Sequence, residues 1–139
     1  MIIVDTNVIS EVLRPHPSEQ VGAWLDAQRP RDLFVTTISQ AEMLLGVQLL
    51  PRGRRRDLLE TAINAIFDTD FRERVLPFDS RAARAFATIV ANRRRLGKPI
   101  DNLDAQIAAI ARSEGAAIAT RDAAGFAGCG VSVIDPWSA

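Results

Sequence analysis

A chain of 139 residues with 47% hydrophobic content can bury one packed core, and it is too short for two domains of ordinary size. Its 17 basic and 17 acidic residues balance, which excludes a global field that draws the protein to nucleic acid or to an anionic membrane. The lone Cys129 excludes an intrachain disulfide, and no apolar run is long enough to span a membrane. We expect one domain over residues 1–139 in a reducing, cytoplasmic compartment, with no signal peptide ahead of Asp5.

Short β-branched runs alternate with amphipathic segments along the whole chain. The first run, Ile2-Ile3-Val4, is unbroken and predicts a strand buried on both faces. The other predicted strands cover residues 33–37, 74–78, 116–120 and 131–134. Helices are predicted over residues 7–14, 18–29, 39–50, 58–66, 80–96 and 102–114. Because parallel strands need crossover connections, this alternation predicts a three-layer α/β/α sandwich with a parallel sheet of about five strands.

Four acidic residues lie at places that such a topology brings together. Asp5, Glu42 and Asp122 each come just beyond the end of a predicted strand, and Asp104 begins the helix that leads into the fourth strand. In an open parallel sheet, ligands bind outside the carboxyl ends of the strands, where the strand order reverses. We therefore expect these four carboxylates to gather at one site.

Gathered carboxylates repel one another, which raises their pKa values unless a cation neutralises them. Oxygen ligands with no histidine or cysteine nearby select Mg²⁺ or Mn²⁺. Such a site suits phosphodiester hydrolysis by a metal-activated water, with no covalent nucleophile from the protein. Asn7, Ser39 and Thr120 are close to the acids in sequence and are candidates for orienting ligands or water.

Each acid also has a local structural interpretation, because each lies at or near a helix N-terminus, where the helix dipole favours negative charge. Ser39 and Glu42 have the spacing of a capping box, and Asp101 and Asp104 are a similar pair. The other two acids can each cap the helix that follows a strand. Taken singly, the acids are therefore explained by helix capping, and their shared location is what indicates a site.

A second enzymatic interpretation starts from the same first strand. A hydrophobic strand ending in aspartate is also how aspartate-nucleophile phosphohydrolases present their covalent nucleophile, which would be Asp5 here. Those enzymes resemble one another in a second aspartate two residues later, where this chain has Asn7, and no lysine lies near a later strand. A phosphohydrolase with an aspartyl-phosphate intermediate is therefore the second enzymatic candidate.

Several fragments, in this order and spacing, give the chain a family resemblance. They are Ile3-Val4-Asp5-Thr6-Asn7-Val8, Ile38-Ser39-Gln40-Ala41-Glu42-Met43-Leu44-Leu45-Gly46, Asp104-Ala105-Gln106-Ile107-Ala108-Ala109, Ala119-Thr120-Arg121-Asp122 and Val133-Ile134-Asp135-Pro136-Trp137. Over nearly its whole length the chain resembles the PIN-domain nucleases, and within them the VapC and FitB-type toxins of bacterial toxin–antitoxin pairs.

The resemblance implies a PIN-like fold and a Mg²⁺-dependent endoribonuclease. The residues it implies for the acidic pocket are Asp5, Glu42, Asp104 and Asp122. It also implies a homodimer and a cognate antitoxin that inhibits the toxin and binds operator DNA. The non-enzymatic alternative is a regulatory module that binds an antitoxin and whose acids only cap helices.

Two runs of basic residues are candidate contacts for RNA phosphates, since arginine contacts of this kind position nucleic acid and make binding salt-dependent. The runs consist of Arg52, Arg54, Arg55 and Arg56, and of Arg93, Arg94, Arg95 and Lys98. Solvated helix ends are an equally weighted interpretation of both runs. Trp24 and Trp137 are interpreted as packing residues, because burial is the commoner use of large apolar rings.

Overall fold

Five short strands form one parallel sheet in the computed structural model, which describes residues 1–139. The strands are β1 (Ile2–Val4), β2 (Leu33–Thr36), β3 (Val75–Leu76), β4 (Ala117–Ala119) and β5 (Val133–Ile134). Their order across the sheet is β3-β2-β1-β4-β5, and Ile3 of β1 lies opposite Ile118 of β4. The chain adds strands in one direction up to β3 and in the other direction afterwards, so the strand order reverses between β1 and β4.

Six α-helices connect the strands. They are α1 (Thr6–Val12), α2 (Glu19–Asp26), α3 (Thr37–Gln48), α4 (Arg54–Ala65), α5 (Ser80–Arg95) and α6 (Asn102–Glu114). Short 3₁₀ turns lie at Pro30–Asp32 and Ala124–Phe126, and a π-helical segment, Ile66–Asp70, continues α4. None of the helices combines the length and the apolar character needed to cross a membrane.

Successive side chains of β1 pack on opposite faces of the sheet, as strand geometry requires. Ile3 joins a core cluster with Ile107 of α6, while Val4 joins a second cluster with Val8 of α1 and Val47 of α3. Fully burying an aliphatic side chain of this size contributes about 1.5–3 kcal/mol, so both faces need a covering layer of helices. The predicted three-layer α/β/α sandwich with a parallel sheet of about five strands is confirmed.

The start of α3 differs from the prediction in a way that matters for the site. Thr36, the last residue of β2, is the N-cap, and its hydroxyl accepts the Ser39 N–H at 3.1 Å. Ser39 therefore lies inside the first turn and is fully buried. The predicted capping box of Ser39 and Glu42 is wrong, because β2 ends at Thr36 and α3 begins at the next residue.

Most other boundaries shift by only a few residues, and α4 shows the largest change. The first helix covers Thr6–Val12 instead of 7–14, and α4 begins at Arg54 instead of 58. The paired part of the third strand is Val75–Leu76, shorter than the predicted 74–78. Strand ends depend on whether a neighbour is present to accept hydrogen bonds, and a side-chain pattern does not report this.

Candidate active site

An acidic cleft of about 530 Å³ opens at the carboxyl ends of β1 and β4, where the strand order reverses. It is lined by all four predicted acids, Asp5, Glu42, Asp104 and Asp122, and by one apolar residue, Trp137. The acids come from three kinds of position: the ends of two strands, the interior of α3 and the first turn of α6. The topology therefore brings together the residues that the sequence singled out.

Asp5 caps α1 and is held in place on both oxygens. It is 5% exposed, its Oδ1 accepts the Thr6 N–H at 2.8 Å, and its Oδ2 accepts the Thr120 hydroxyl at 2.7 Å and the Asn7 amide at 3.3 Å. Burial raises the pKa of Asp5, hydrogen bonds from Thr120 and Thr6 oppose that rise, and repulsion by Asp122 adds to it. The carboxylate is well oriented, and ionising it without a cation costs free energy.

Thr120 links the ends of the two central strands. While it donates to Asp5, its hydroxyl oxygen accepts the Asp122 N–H and the Asn7 side-chain amide, each at 3.1 Å. One donor and two acceptor sites are all that a hydroxyl offers, so this group is fully used. Asn7 extends the link, since its Oδ1 accepts the Arg121 N–H at 3.3 Å. Both residues thus orient two of the acids.

Glu42 lies within α3 and plays no part in capping it. Its Oε1 accepts the Thr6 hydroxyl at 3.0 Å. Because that hydroxyl has a single proton, the 2.8 Å contact between Ser39 and Thr6 has the Ser39 hydroxyl as donor. Burial raises the pKa of Glu42, the Thr6 hydrogen bond opposes the rise, and repulsion by Asp5 and Asp101 adds to it.

Asp104 is the most strongly perturbed acid of the cleft. Asp101 is the N-cap of α6 and accepts the Asp104 N–H at 3.3 Å, so Asp104 is not needed as a cap. Burial raises the pKa of Asp104 to about 6, with added repulsion from Asp5, Asp101, Glu42 and Asp122. A helix N-terminus alone would favour the charged form. Desolvation and repulsion therefore outweigh the helix dipole here.

The cleft suits a hard divalent cation in the chemistry of its donors. All four acids offer oxygen, and no histidine or cysteine lines the cleft. No group of three histidine, cysteine, aspartate or glutamate side chains in the structure is arranged to hold a metal ion. Mg²⁺ needs fewer protein ligands than that, since it is usually bound by one or two carboxylates, several waters and substrate phosphate.

Two polar pairs at the rim were not anticipated from the sequence. Arg14 forms an ion pair with the buried Glu11 at 3.3 Å, and the Arg121 guanidinium lies 5.0 Å from the centre of the Trp137 ring. The spacing Asn7, Glu11, Arg14 follows one helical face and would have indicated the first pair. Trp137 packs against the core, as predicted, and also lines the cleft.

The two basic runs occupy unlike environments. Arg54, Arg55 and Arg56 open α4, so they lie at a helix N-terminus, where the dipole does not favour cations. Arg93 is buried, which makes both interpretations of the second run wrong for this residue. Backbone carbonyls from a distant loop surround its guanidinium, and no pattern within α5 reports such a contact.

Comparison with known proteins identifies the family to which this chain belongs. The PIN domain profile matches residues 2–127, and the chain therefore belongs to the PIN domain family. It is 41% identical to Toxin FitB of Neisseria gonorrhoeae, covering 99% of each chain. It is 39% identical to VapC ribonuclease Y4jK of Sinorhizobium fredii, covering 99% of this chain and 98% of that one. The solved structure of FitAB bound to an IR36 DNA fragment matches with a TM-score of 0.92 and 42% identity, covering 99% of this chain and 96% of its counterpart.

Proposed function

We propose that this protein is a cytoplasmic, Mg²⁺-dependent endoribonuclease and the toxin of a toxin–antitoxin pair. The observation that carries the proposal is the convergence of four carboxylates on one open cleft at the reversal of strand order. Three of them have pKa values raised chiefly by burial, so the fold keeps them at a cost in free energy. Perturbed acids in a cleft are typical of a functional site. The relatives named as a VapC ribonuclease and as Toxin FitB supply the substrate class and the biological role.

The residues that would hold the cation are Asp5, Glu42, Asp104 and Asp122. When bound, Mg²⁺, or Mn²⁺ as a substitute, lowers the pKa of a coordinated water and neutralises charge on the phosphodiester. The protein's own contribution is orientation: hydroxyls and an amide from Thr6, Thr120 and Asn7 hold Asp5 and Glu42 by hydrogen bonds. Side chains fixed in this way need little rearrangement during reaction.

An aspartyl-phosphate mechanism has little support in this geometry. Asp5 is 5% exposed, and both of its oxygens accept hydrogen bonds from Thr6, Thr120 and Asn7. Those enzymes also resemble one another in a second aspartate two residues later, and that position here is Asn7, whose amide donates to Asp5 and supplies no carboxylate. The Asp5 side chain is instead arranged as a fixed anion with an acceptor site left on Oδ1 for a cation.

A purely structural role for the acids is also disfavoured. Glu42 caps no helix, and Asp104 is relieved of capping by Asp101. If the acids served only to stabilise helices, their charged forms would be favoured, yet the pKa values of Glu42 and Asp104 are raised. A non-catalytic role for the protein therefore does not explain why Glu42 and Asp104 are acidic.

A cognate antitoxin is proposed as the partner, by analogy with the FitAB complex on DNA. An apolar groove of about 500 Å³ continues from the acidic cleft and includes Leu13, Met43 and Leu59 among its lining side chains. Its size and character suit a segment of a protein partner, which would then reach the acids as well. The homodimer implied by the family stays a prediction.

Metal-dependent cleavage tests the proposal directly. Purified protein is expected to cleave single-stranded RNA with Mg²⁺ present, to stop in excess EDTA, and to resume when Mg²⁺ is restored, as read on denaturing gels. An Asp104→Asn preparation purified in parallel measures contaminating ribonuclease. Cleavage by the wild type that continues undiminished in EDTA would contradict the proposal.

Arg121 is the expected phosphate contact at the rim of the cleft. It lines the cleft and lies over the Trp137 ring, and none of the ion pairs in the structure includes it. We expect Arg121→Ala to weaken RNA binding and to reduce the slope of log affinity against log salt by about 1, as for the loss of one phosphate contact. Filter binding of labelled RNA to the wild type and the variant in Ca²⁺ at several salt concentrations measures this.

Arg72→Ala is the matched control for Arg121. Arg72 is an exposed arginine that precedes β3, at the opposite end of the strands from the cleft. Its removal changes the net charge equally and is expected to leave the salt slope unchanged. Equal effects of the two substitutions would show that overall charge, and not a contact at the cleft, governs RNA binding.

A further inference from the structure

Gly125, in the short turn after β4, touches the carboxylate of Asp122. Its backbone N–H donates to Asp122 Oδ1 at 3.0 Å. A β-carbon built on Gly125 would lie 2.3 Å from Oδ2 and 2.8 Å from Cγ of Asp122. Favourable contacts between nonbonded heavy atoms begin near 3.5 Å, so any side chain at this position would displace the carboxylate.

The backbone of Gly125 does not itself require glycine. Gly128 and Gly130, further along the same loop, both have a φ of 75°, which other residues rarely adopt, whereas Gly125 is not among the positive-φ residues. Alanine would therefore fit the backbone at position 125. The three atoms nearest to a β-carbon at that position all belong to the Asp122 carboxylate, which would have to move to admit it.

Arg93 holds Gly125 from its other side. This residue of the last turn of α5 is 7% exposed, and its Nη1 donates to the carbonyl oxygens of Gly125 at 2.9 Å and Ala127 at 2.8 Å. Its Nε donates to the Lys98 carbonyl at 2.6 Å, and no carboxylate forms an ion pair with it. A buried guanidinium is costly unless its N–H groups are bonded. These bonds fix the backbone of the loop that carries Asp122.

We propose that Arg93 and Gly125 are positioning residues that hold the Asp122 carboxylate in the acidic cleft. Arg93 fixes the Gly125 backbone, and Gly125 supplies both an N–H donor and the space that the carboxylate occupies. The inference rests on the proposed function, because it treats Asp122 as one of the acids that hold the cation. It adds two residues that touch neither the cation nor the RNA.

A double-mutant cycle tests the proposal, with Mn²⁺ alone as the probe and calorimetric affinity as the readout. Gly125→Ala is expected to weaken Mn²⁺ binding about tenfold, the scale on which residues that orient metal ligands act. Asp122→Ala is expected to weaken it at least as much, and the combined variant is expected to match Asp122→Ala. Gly22→Ala in α2 is the control, since a β-carbon there meets nothing within 4 Å.

Each outcome bears on the proposal. Gly125→Ala binding Mn²⁺ as tightly as Gly22→Ala would overturn it, and so would effects of Gly125→Ala and Asp122→Ala that multiply in the combined variant. If Gly125→Ala fails to fold, recovery of folding in the combined variant supports the contact with Asp122, and no recovery overturns it. Wild-type protein that neither binds Mn²⁺ nor cleaves RNA would instead refute the proposed function.

Arg93→Lys tests the role of Arg93 independently, by the same measurement of Mn²⁺ affinity. Lysine keeps the charge, but its single ammonium group cannot replace both the Nε bond to the Lys98 carbonyl and the Nη1 bonds to the Gly125 and Ala127 carbonyls. We expect weaker Mn²⁺ binding in the wild-type background and no further loss when Asp122→Ala is already present. A loss of the same size in both backgrounds would show that Arg93 acts on general stability and not through Asp122.

Discussion

Replacing Asp104 by asparagine is expected to abolish RNA cleavage and, in the same molecule, to stabilise the metal-free fold. Changing a group that merely orients a metal ligand costs 10–100-fold, so removing a proposed ligand should cost at least about 100-fold in kcat/KM. Burial and repulsion raise the pKa of Asp104 to about 6, so its charge opposes folding at neutral pH. Because the group is only partly buried, solvent screening reduces the expected gain to about 1 kcal/mol in urea unfolding at pH 7.5 with EDTA.

Asp101→Asn is the matched control for this prediction. Asp101 lies three residues earlier and caps the same helix, and asparagine caps as well as aspartate. It should retain most of the cleavage activity, and in cells it should arrest growth as the wild type does, whereas Asp104→Asn should not. An Asp104→Asn protein that is less stable than wild type and still active would remove the central argument for the site.

The large-scale arrangement of the protein could be predicted because its determinants are local. The β-branched run before Asp5 indicates a buried strand, and a strand followed by a helix repeats along the chain. Such units determine a parallel sheet with ligands at the carboxyl ends of its strands. That is enough to gather acids that are far apart in sequence.

Glu42 shows where local reasoning reaches its limit. Thr36 and Ser39 are both good N-cap residues, and the sequence does not say which one starts the helix. Pairing of Thr36 with Leu76 of β3 extends β2 to that residue and decides the matter. With Ser39 buried, Glu42 loses its capping explanation and is left facing the cleft.

The burial of Arg93 and the place of Trp137 at the cleft could not be predicted from sequence, because distant residues make both environments. A run of three arginines at the end of a helix is usually solvated, and only the carbonyls of Gly125 and Ala127 reveal why one of them is buried. Trp137 reaches the cleft because β5 returns the chain to the edge of the sheet next to β4. Contacts of this kind depend on tertiary structure and leave no periodic pattern.

The stability of the metal-free protein is expected to fall as the pH rises from about 4 to about 6.5. Burial raises the pKa values of Asp5, Glu42 and Asp104, the last from 3.8 to about 6. Within that window the folded state binds more protons than the unfolded state, so raising the pH favours unfolding. Their favourable contribution is complete below pH 3.8 and is lost as the pH passes about 6 for Asp104. Urea unfolding in EDTA at half-unit steps of pH measures the slope.

Two substitutions and the addition of Mg²⁺ test whether the acids of the cleft cause this dependence of the free energy of unfolding on pH. Asp104→Asn should flatten it, whereas Asp68→Asn, which changes an exposed acid outside the cleft, should leave it unchanged. Mg²⁺ at 100 times its dissociation constant should restore about 2.7 kcal/mol at pH 7.5, because it binds the folded state alone. A free energy of unfolding that rises through the window, or that Mg²⁺ leaves unchanged, would mean that the acids are not held at a cost. In that case their convergence would no longer indicate a cation site.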